Sequence, residues 1–300
     1  MTAATAASAS PLLQLAAAQP HQGGRAFGPF DACVQHSERI AVLGPSGAGK
    51  STLLRLLAGE LAAQRGEVRL DGGLLAAMPR AALACRRAVL PQLGGAGAAI
   101  AFGLPVRLVV GLGRLAREPD PAREAIVHEA LRAACALHLA GRRIDQLSGG
   151  ELARVQLARV LAQLWDQTHG LLLVDEPLAA LDPALQRELM DTLQAYARER
   201  GHALVAVLHD LGQALSDFDT LWLVQDGRLA GPPRRAGLAA LPALEALYGV
   251  GLHGVRLPDG AVGVVPRRRG APPARAPAPD AVTSRTAPSL SVPGTTRHTG

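Results

Sequence analysis

Ile40-Ala41-Val42-Leu43-Gly44-Pro45-Ser46-Gly47-Ala48-Gly49-Lys50-Ser51-Thr52 passes from four consecutive apolar residues, through a glycine-rich loop, into an apolar pattern of helical spacing over 51–61. An unbroken apolar run of this length fits a strand buried on both faces, so the order is strand, loop, helix. Gly44, Gly49, Lys50 and Ser51 stand at the GxxxxGK[ST] spacing, in the context that this spacing requires. Glycines let the backbone approach phosphate oxygens closely, while the loop amides and the helix start supply partial positive charge. Lys50 adds a full charge for the β and γ phosphates, and Ser51 is placed to ligate magnesium. A plain glycine turn before a helix would require neither residue.

Downstream, Glu67-Val68-Arg69-Leu70 closed by Asp71-Gly72, and Ala88-Val89-Leu90 stopped by Pro91, read as strands. Residues 93–141 are Gly-rich and then helical, with apolar spacing of three and four over 122–139, which marks an inserted helical subdomain at about 93–150. Regular alternation resumes with a helix at 150–165, a strand at 171–174, a helix at 183–200 and a strand at 203–208. Apolar strands between helices predict an α/β fold with a parallel sheet covered on both faces. Leu221-Trp222-Leu223-Val224 is a further strand, and Gln225-Asp226-Gly227-Arg228 turns it into a hairpin. At the amino end, 11–18 reads as a first edge strand running to a Gly23-Gly24 turn. Residues 1–10 and the Pro/Ala/Arg-rich 266–300 lack apolar periodicity and are expected to be disordered, leaving 11–265 as the folded domain.

Two further stretches carry chemistry. Leu171-Leu172-Leu173-Val174-Asp175-Glu176-Pro177 delivers two carboxylates to the carboxyl end of a buried strand, where open α/β sheets bind ligands. Asp175 is expected to hold magnesium, directly or through water, and Glu176 to polarise the water that attacks the γ phosphorus. Leu147-Ser148-Gly149-Gly150-Glu151 opens a helix with Ser148 as its cap, so the amides of Gly149 and Gly150 form an anion site.

Composition narrows the class. Hydrophobic residues make up 48% but aromatics only 3%, and no apolar run approaches a bilayer span. The first nineteen residues have no Lys or Arg ahead of their short apolar part, which is unlike a secretory signal and points to the cytoplasm. Much of the net charge of +6 comes from Arg234, Arg235, Arg267, Arg268, Arg269 and Arg275, a solvated carboxyl-terminal feature rather than a nucleic-acid surface. Cys33, Cys85 and Cys135 are too scattered for a disulfide framework or a metal pair and read as buried packing residues. His128, His138, His169 and His202 lack ligand spacing, so magnesium is the one metal implied.

With Leu147 to Glu151 in place, the chain resembles the ABC ATPase superfamily, whose signature sequence that stretch matches. The resemblance implies a P-loop NTPase fold with an amino-terminal antiparallel β portion, and ATP and Mg2+ as cofactors. Gln92 matches the family's Q-loop, which contacts magnesium and hinges the helical subdomain. Ala180-Leu181-Asp182 resembles the D-loop, whose Asp crosses the dimer interface, and His209 the switch histidine that touches the γ phosphate. All six elements fall in family order. His21 stands where the family usually places an aromatic residue against adenine, with Phe27 and Phe30 as alternatives.

Arg87-Ala88-Val89-Leu90-Pro91-Gln92, the stretch 154–165, and Leu139-Ala140-Gly141-Arg142 are similar to ATPase subunits of bacterial hemin importers, although Leu152-Ala153 replace two glutamines common there. Such a subunit would work as a head-to-tail homodimer on an integral-membrane permease dimer, served indirectly by a periplasmic binding protein. It would lie peripherally on the cytoplasmic face of the bacterial inner membrane. Siderophore, vitamin B12 and phosphonate importers are the alternatives, and a soluble ABC ATPase of repair or translation is a more distant one. The span from Gln92 to Ser148 carries no heptad run, unlike the coiled-coil repair proteins.

Overall fold

In the computed structural model, which describes residues 10–92, 103–176 and 181–267, the chain runs through Leu13–Gln22 (β1), Arg25–Ala26 (β2), Phe30–Val34 (β3), Arg39–Leu43 (β4), Lys50–Leu57 (α1), Ala63–Leu70 (β5), Gly73–Leu74 (β6), Arg80–Arg86 (α2) and Arg87–Leu90 (β7). It continues through Val106–Gly111 (α3), Arg123–Ala133 (α4), Gly149–Gln163 (α5), Leu171–Asp175 (β8), Pro183–Arg200 (α6), Ala203–Val207 (β9) and Leu211–Asp217 (α7). The remaining elements are Thr220–Gln225 (β10), Arg228–Leu229 (β11), Arg234–Arg235 (β12), Leu241–Tyr248 (α8), Leu252–Arg256 (β13) and Val262–Pro266 (β14).

The expected parallel sheet is present, in the order β10-β4-β9-β8-β7, with β11 and β12 added antiparallel at the β10 edge. Its central strands are buried on both faces: all five residues of β9 and the first four of β8 are buried. One face packs with α5 and α6, through Val155, Leu157, Met190 and Leu193, into the larger core. The other face, through Ile40, Val42, Leu173 and Val205, packs with α1 and the amino-terminal strands into a second core. The hairpin turn places Asp226 at φ 50 and Gly227 at φ 81, the double left-handed geometry favoured in tight hairpins.

β1 does not sit at an edge. It pairs antiparallel with β3 on one side and β5 on the other, because Leu13, Leu15 and Ala18 point into the second core. The helix expected over 122–139 stops at Ala133; Cys135 takes φ 51, and a short 3-10 turn at Leu137–Leu139 follows. A left-handed residue cannot continue a right-handed helix. The cysteines also depart from the packing expectation. Cys33 lies on the outward face of β3, opposite the buried Phe30 and Val34, and Cys135 is exposed in that left-handed turn; Cys85 is half-buried. Of the ends expected to be disordered, 1–9 and 268–300 lie outside the described residues, and β14 extends through Pro266.

In the inserted helical region, the fully buried Arg114 donates to Asp120 at 2.7 Å and to Asp166 at 2.8 Å, and to the Ala162 carbonyl at 3.3 Å. Its guanidinium holds both carboxyls below the usual range. The cluster fixes the segment before α4 against the end of α5, and so orients the helix whose start carries Ser148.

His202, 1% exposed between α6 and β9, accepts at Nδ1 from the Gly170 N–H at 2.8 Å and stacks near Tyr196. Burial, first of all, depresses its pKa from 6.5 to about 4. A depressed imidazole binds its proton more weakly folded than unfolded. Its contribution to stability is therefore present above the unfolded value and is lost as pH falls towards the folded one. Between pH 7 and pH 5 the loss is about 2 kcal/mol. Urea unfolding at both pH values should show a drop of that size that largely disappears in His202→Gln, whose amide oxygen can still accept from Gly170.

Candidate functional site

Parallel pairing brings the carboxyl ends of the central strands to one edge. Leu90 of β7 is level with Val174 of β8, Asp175 with Val207 of β9, and Val42 of β4 with Val207. Gln92, Asp175, Glu176, His209 and Gly44, each at or just beyond a strand end, therefore emerge side by side, where ligands of open α/β sheets bind. Gln92 is exposed there.

The loop after β4 is shaped by its glycines. A side chain on Gly44 would collide with the Val224 carbonyl oxygen, and one on Gly49 (φ 102) would meet the Phe27 ring at 2.9 Å. Lys50, 6% exposed, donates to the carbonyls of Gly44 at 2.9 Å and Pro45 at 3.2 Å, with Glu176 Oε1 at 3.6 Å. A buried ammonium needs such acceptors, and phosphate oxygens supply the same chemistry more strongly. Thr52 Oγ1 donates to Gln22 Oε1 at 3.2 Å, tying the first turn of α1 to the end of β1. The resulting cleft of about 300 Å³ is lined by Phe27, Glu176 and the loop from Ser46 through Gly47, Ala48, Gly49, Lys50 and Ser51 to Thr52.

Ser51 Oγ donates to Asp175 Oδ1 at 3.1 Å. Burial raises the Asp175 pKa, against the opposing pull of that hydroxyl, and nearby Glu176 raises it further. A hydroxyl and a half-buried carboxylate side by side form a hard oxygen pair of the kind Mg2+ selects, and a cation there would offset the cost of the partly desolvated charge. Glu176 adopts φ 42, a left-handed backbone that non-glycine residues hold only under constraint. In that pose its Oε1 lies 2.7 Å from His209 Nε2 and faces Lys50. Lys50, Ser51, Asp175, Glu176 and His209 are thus linked by direct contacts.

Ser148, Gly149, Gly150 and Asp182 do not join that network. Ser148 caps α5: Glu151 N–H donates to Ser148 Oγ at 3.3 Å, and the Ser148 N–H donates to Glu151 at 2.8 Å. Those bonds, the backbone one first, lower the Glu151 pKa. Gly149 has open space around it and Gly150 faces Leu185. Asp182 caps α6, accepting from the Leu185 N–H at 3.0 Å. Pro177 and Ala180 lie outside the described residues.

Among the aromatic alternatives for adenine, Phe30 is fully buried in the core, whereas Phe27 lines the cleft with Arg25 stacked on its ring. His21, at the end of β1, has an enclosed Nδ1 with no hydrogen-bond partner among the described residues. One contact had no sequence signal: the Tyr248 hydroxyl accepts from the Gly44 N–H at 3.1 Å across a separation of 204 positions.

The family model described as ABC transporter matches residues 27–179. The chain is 49% identical over 218 residues to the hemin import ATP-binding protein HmuV of Pseudomonas aeruginosa, covering 70% of this chain and 84% of that protein. It is 46% identical to the corresponding proteins of Pseudomonas entomophila and Bordetella parapertussis, over 70% of this chain and 82% and 81% of theirs. A solved metal-chelate type ABC transporter in an inward-facing conformation shares the fold with a TM-score of 0.69 at 22% identity, covering 87% of this chain and 99% of that one. The solved cbiO1 of Clostridium perfringens, part of the ABC transporter complex cbiONQ, gives a TM-score of 0.64 at 24% identity over 79% of this chain and 92% of that one.

Proposed function

This chain belongs to the ABC transporter family as an ATP-hydrolysing subunit that energises an importer, and from that premise we propose that the cargo is hemin. The observation that carries the cargo is the 49% identity to a hemin import ATP-binding protein, sustained over 84% of that protein's length. The cargo itself would pass through the permease, the membrane partner that an importer ATPase drives, and never touch this chain.

The roles follow from the contacts. ATP lays its phosphates along the loop from Gly44 to Thr52, and Lys50 exchanges two backbone carbonyls for β and γ oxygens. Ser51 and Asp175, with Gln92 at the same edge, would hold Mg2+, which when bound would supply positive charge beside the phosphates. Glu176 orients and polarises the attacking water, and His209, hydrogen-bonded to it, senses the γ phosphate.

Two copies work head to tail. The cleft lining in one chain contains neither Ser148 nor Asp182, while the Cα of Gly149 at the α5 start faces open space, which supports completion of each ATP site by the second copy's Ser148, Gly149, Gly150 and Asp182. Closure on ATP and reopening after hydrolysis would drive the permease, with a periplasmic binding protein delivering cargo. Among the described residues no helix is long and apolar enough to cross a membrane, in keeping with a peripheral position on the cytoplasmic face of the inner membrane.

A strain lacking this gene, and having no second hemin importer, should fail to grow with hemin as sole iron source and recover with the wild-type gene but not with Glu176→Gln. Unimpaired growth would reject hemin and direct the search to siderophores, vitamin B12 or phosphonates.

A further inference from the structure

Gly44 joins β4 to the phosphate loop, and both of its backbone polar groups are held. Its carbonyl accepts from Lys50 at 2.9 Å and its N–H donates to the Tyr248 hydroxyl at 3.1 Å. The Val224 carbonyl closes off the space where a side chain would sit. Tyr248 is the last residue of α8, whose Leu244 and Leu247 are buried. The helix end is fixed by left-handed Gly249 (φ 64) and by the Leu252 N–H, which donates to Glu245 Oε1 at 2.6 Å.

The same carboxyl-terminal segment also grips the helix that follows His209. Val262 N–H donates to Ser216 Oγ on α7 at 2.7 Å, and a Cβ on Gly212 would come within 2.6 Å of the Val262 carbonyl. Residues 241–266 thus touch the start of the phosphate loop and the helix beside the γ-phosphate histidine, although they lie beyond the 27–179 stretch that the family model covers.

We propose that Tyr248 is a positioning residue for ATP: its hydroxyl anchors the Gly44 N–H, and through Gly44 it sets where Lys50 and the loop amides point. Without the hydroxyl, the part-buried Gly44 N–H has no acceptor, and the loop relaxes towards water to satisfy it. Phosphate binding must then reorder the loop. Burial raises the Tyr248 pKa, so the hydroxyl stays neutral over the working range. The inference rests on the ATP site assigned above; Lys50→Ala losing ATP while Tyr248→Phe binds normally would sink this inference alone.

Tyr248→Phe keeps the ring and removes only the hydroxyl. For the purified full chain, the KM for ATP should rise about five- to tenfold, the scale of one lost hydrogen bond, while kcat at saturating magnesium-ATP stays within about twofold. Ser216→Ala removes a hydroxyl that holds the same segment without touching the loop, and should lower thermal stability with no change in KM. Hydrogen exchange at the Gly44 amide should be slow in the wild type and faster in Tyr248→Phe. An unchanged KM, a reduced kcat at wild-type KM, or equal Gly44 exchange in both chains would each overturn the proposal. Should the phenylalanine chain not fold, exchange in the wild type decides: protection at Gly44 upholds the anchor, and exchange at the rate of an exposed loop overturns it.

Discussion

Glu176→Gln is expected to slow ATP hydrolysis by about 10²–10⁴-fold while leaving ATP bound, because it removes the group proposed to polarise water and little else. The amide matches the carboxylate in shape, so the backbone at φ 42 and the position 2.7 Å from His209 Nε2 can be kept. What disappears is the negative charge that faces Lys50 at 3.6 Å and that the proposed mechanism needs to take the proton of the attacking water. Loss of that charge near the phosphates favours nucleotide retention, so ATP with Mg2+ should accumulate in a closed dimer. Phosphate release and the nucleotide content of gel-filtered protein read both effects. Turnover retained within about tenfold would show that another group activates the water.

Lys50→Ala is expected to fail one step earlier, weakening ATP binding at least about a hundredfold. The ammonium is 6% exposed, and its two neutral acceptors at 2.9 and 3.2 Å already hold it at the loop. Charge-assisted bonds to phosphate oxygens are worth about 1.5–3 kcal/mol each, and more than one is lost. Alanine also strips the Gly44 and Pro45 carbonyls of their donor, so the loop itself should loosen. Titration with a fluorescent ATP analogue separates this variant from Glu176→Gln: one does not bind, the other binds and does not turn over. Affinity within a few-fold of the wild type would refute the role given to Lys50.

The site was legible where chemistry is local in sequence. Gly44 to Thr52 declare themselves because loop, lysine and helix start are contiguous, and Asp175 and Glu176 because a fully apolar strand ends on them. That these groups meet follows from parallel pairing, which the alternation of apolar strands and helices already implied. The strands β8 and β9 and the helix α6 also matched closely, each being a long periodic or uniformly apolar segment.

Features set by distant neighbours were not legible. β1 lies between β3 and β5 rather than at an edge, and β3 is a strand of only five residues, too short for its alternation to stand out. Cys33 and Cys135 look apolar by composition, but their exposure is decided by the pleat of β3 and by the turn that ends α4. Tyr248 reaches Gly44 through the docking of α8, a contact that no local pattern can encode. Ser148 shows the converse: its capping bond is local and was readable, while the role proposed for it lies at a second copy's ATP site.

The most direct test of the account is uptake of isotopically labelled hemin iron by cells of the deletion strain expressing either the wild type or Glu176→Gln at equal levels, with a labelled siderophore in parallel. Hemin iron should accumulate only with the wild type, and siderophore entry should be unaffected. Equal hemin uptake with both chains would contradict this by separating hydrolysis at Glu176 from hemin entry, and a defect confined to the siderophore would contradict the cargo.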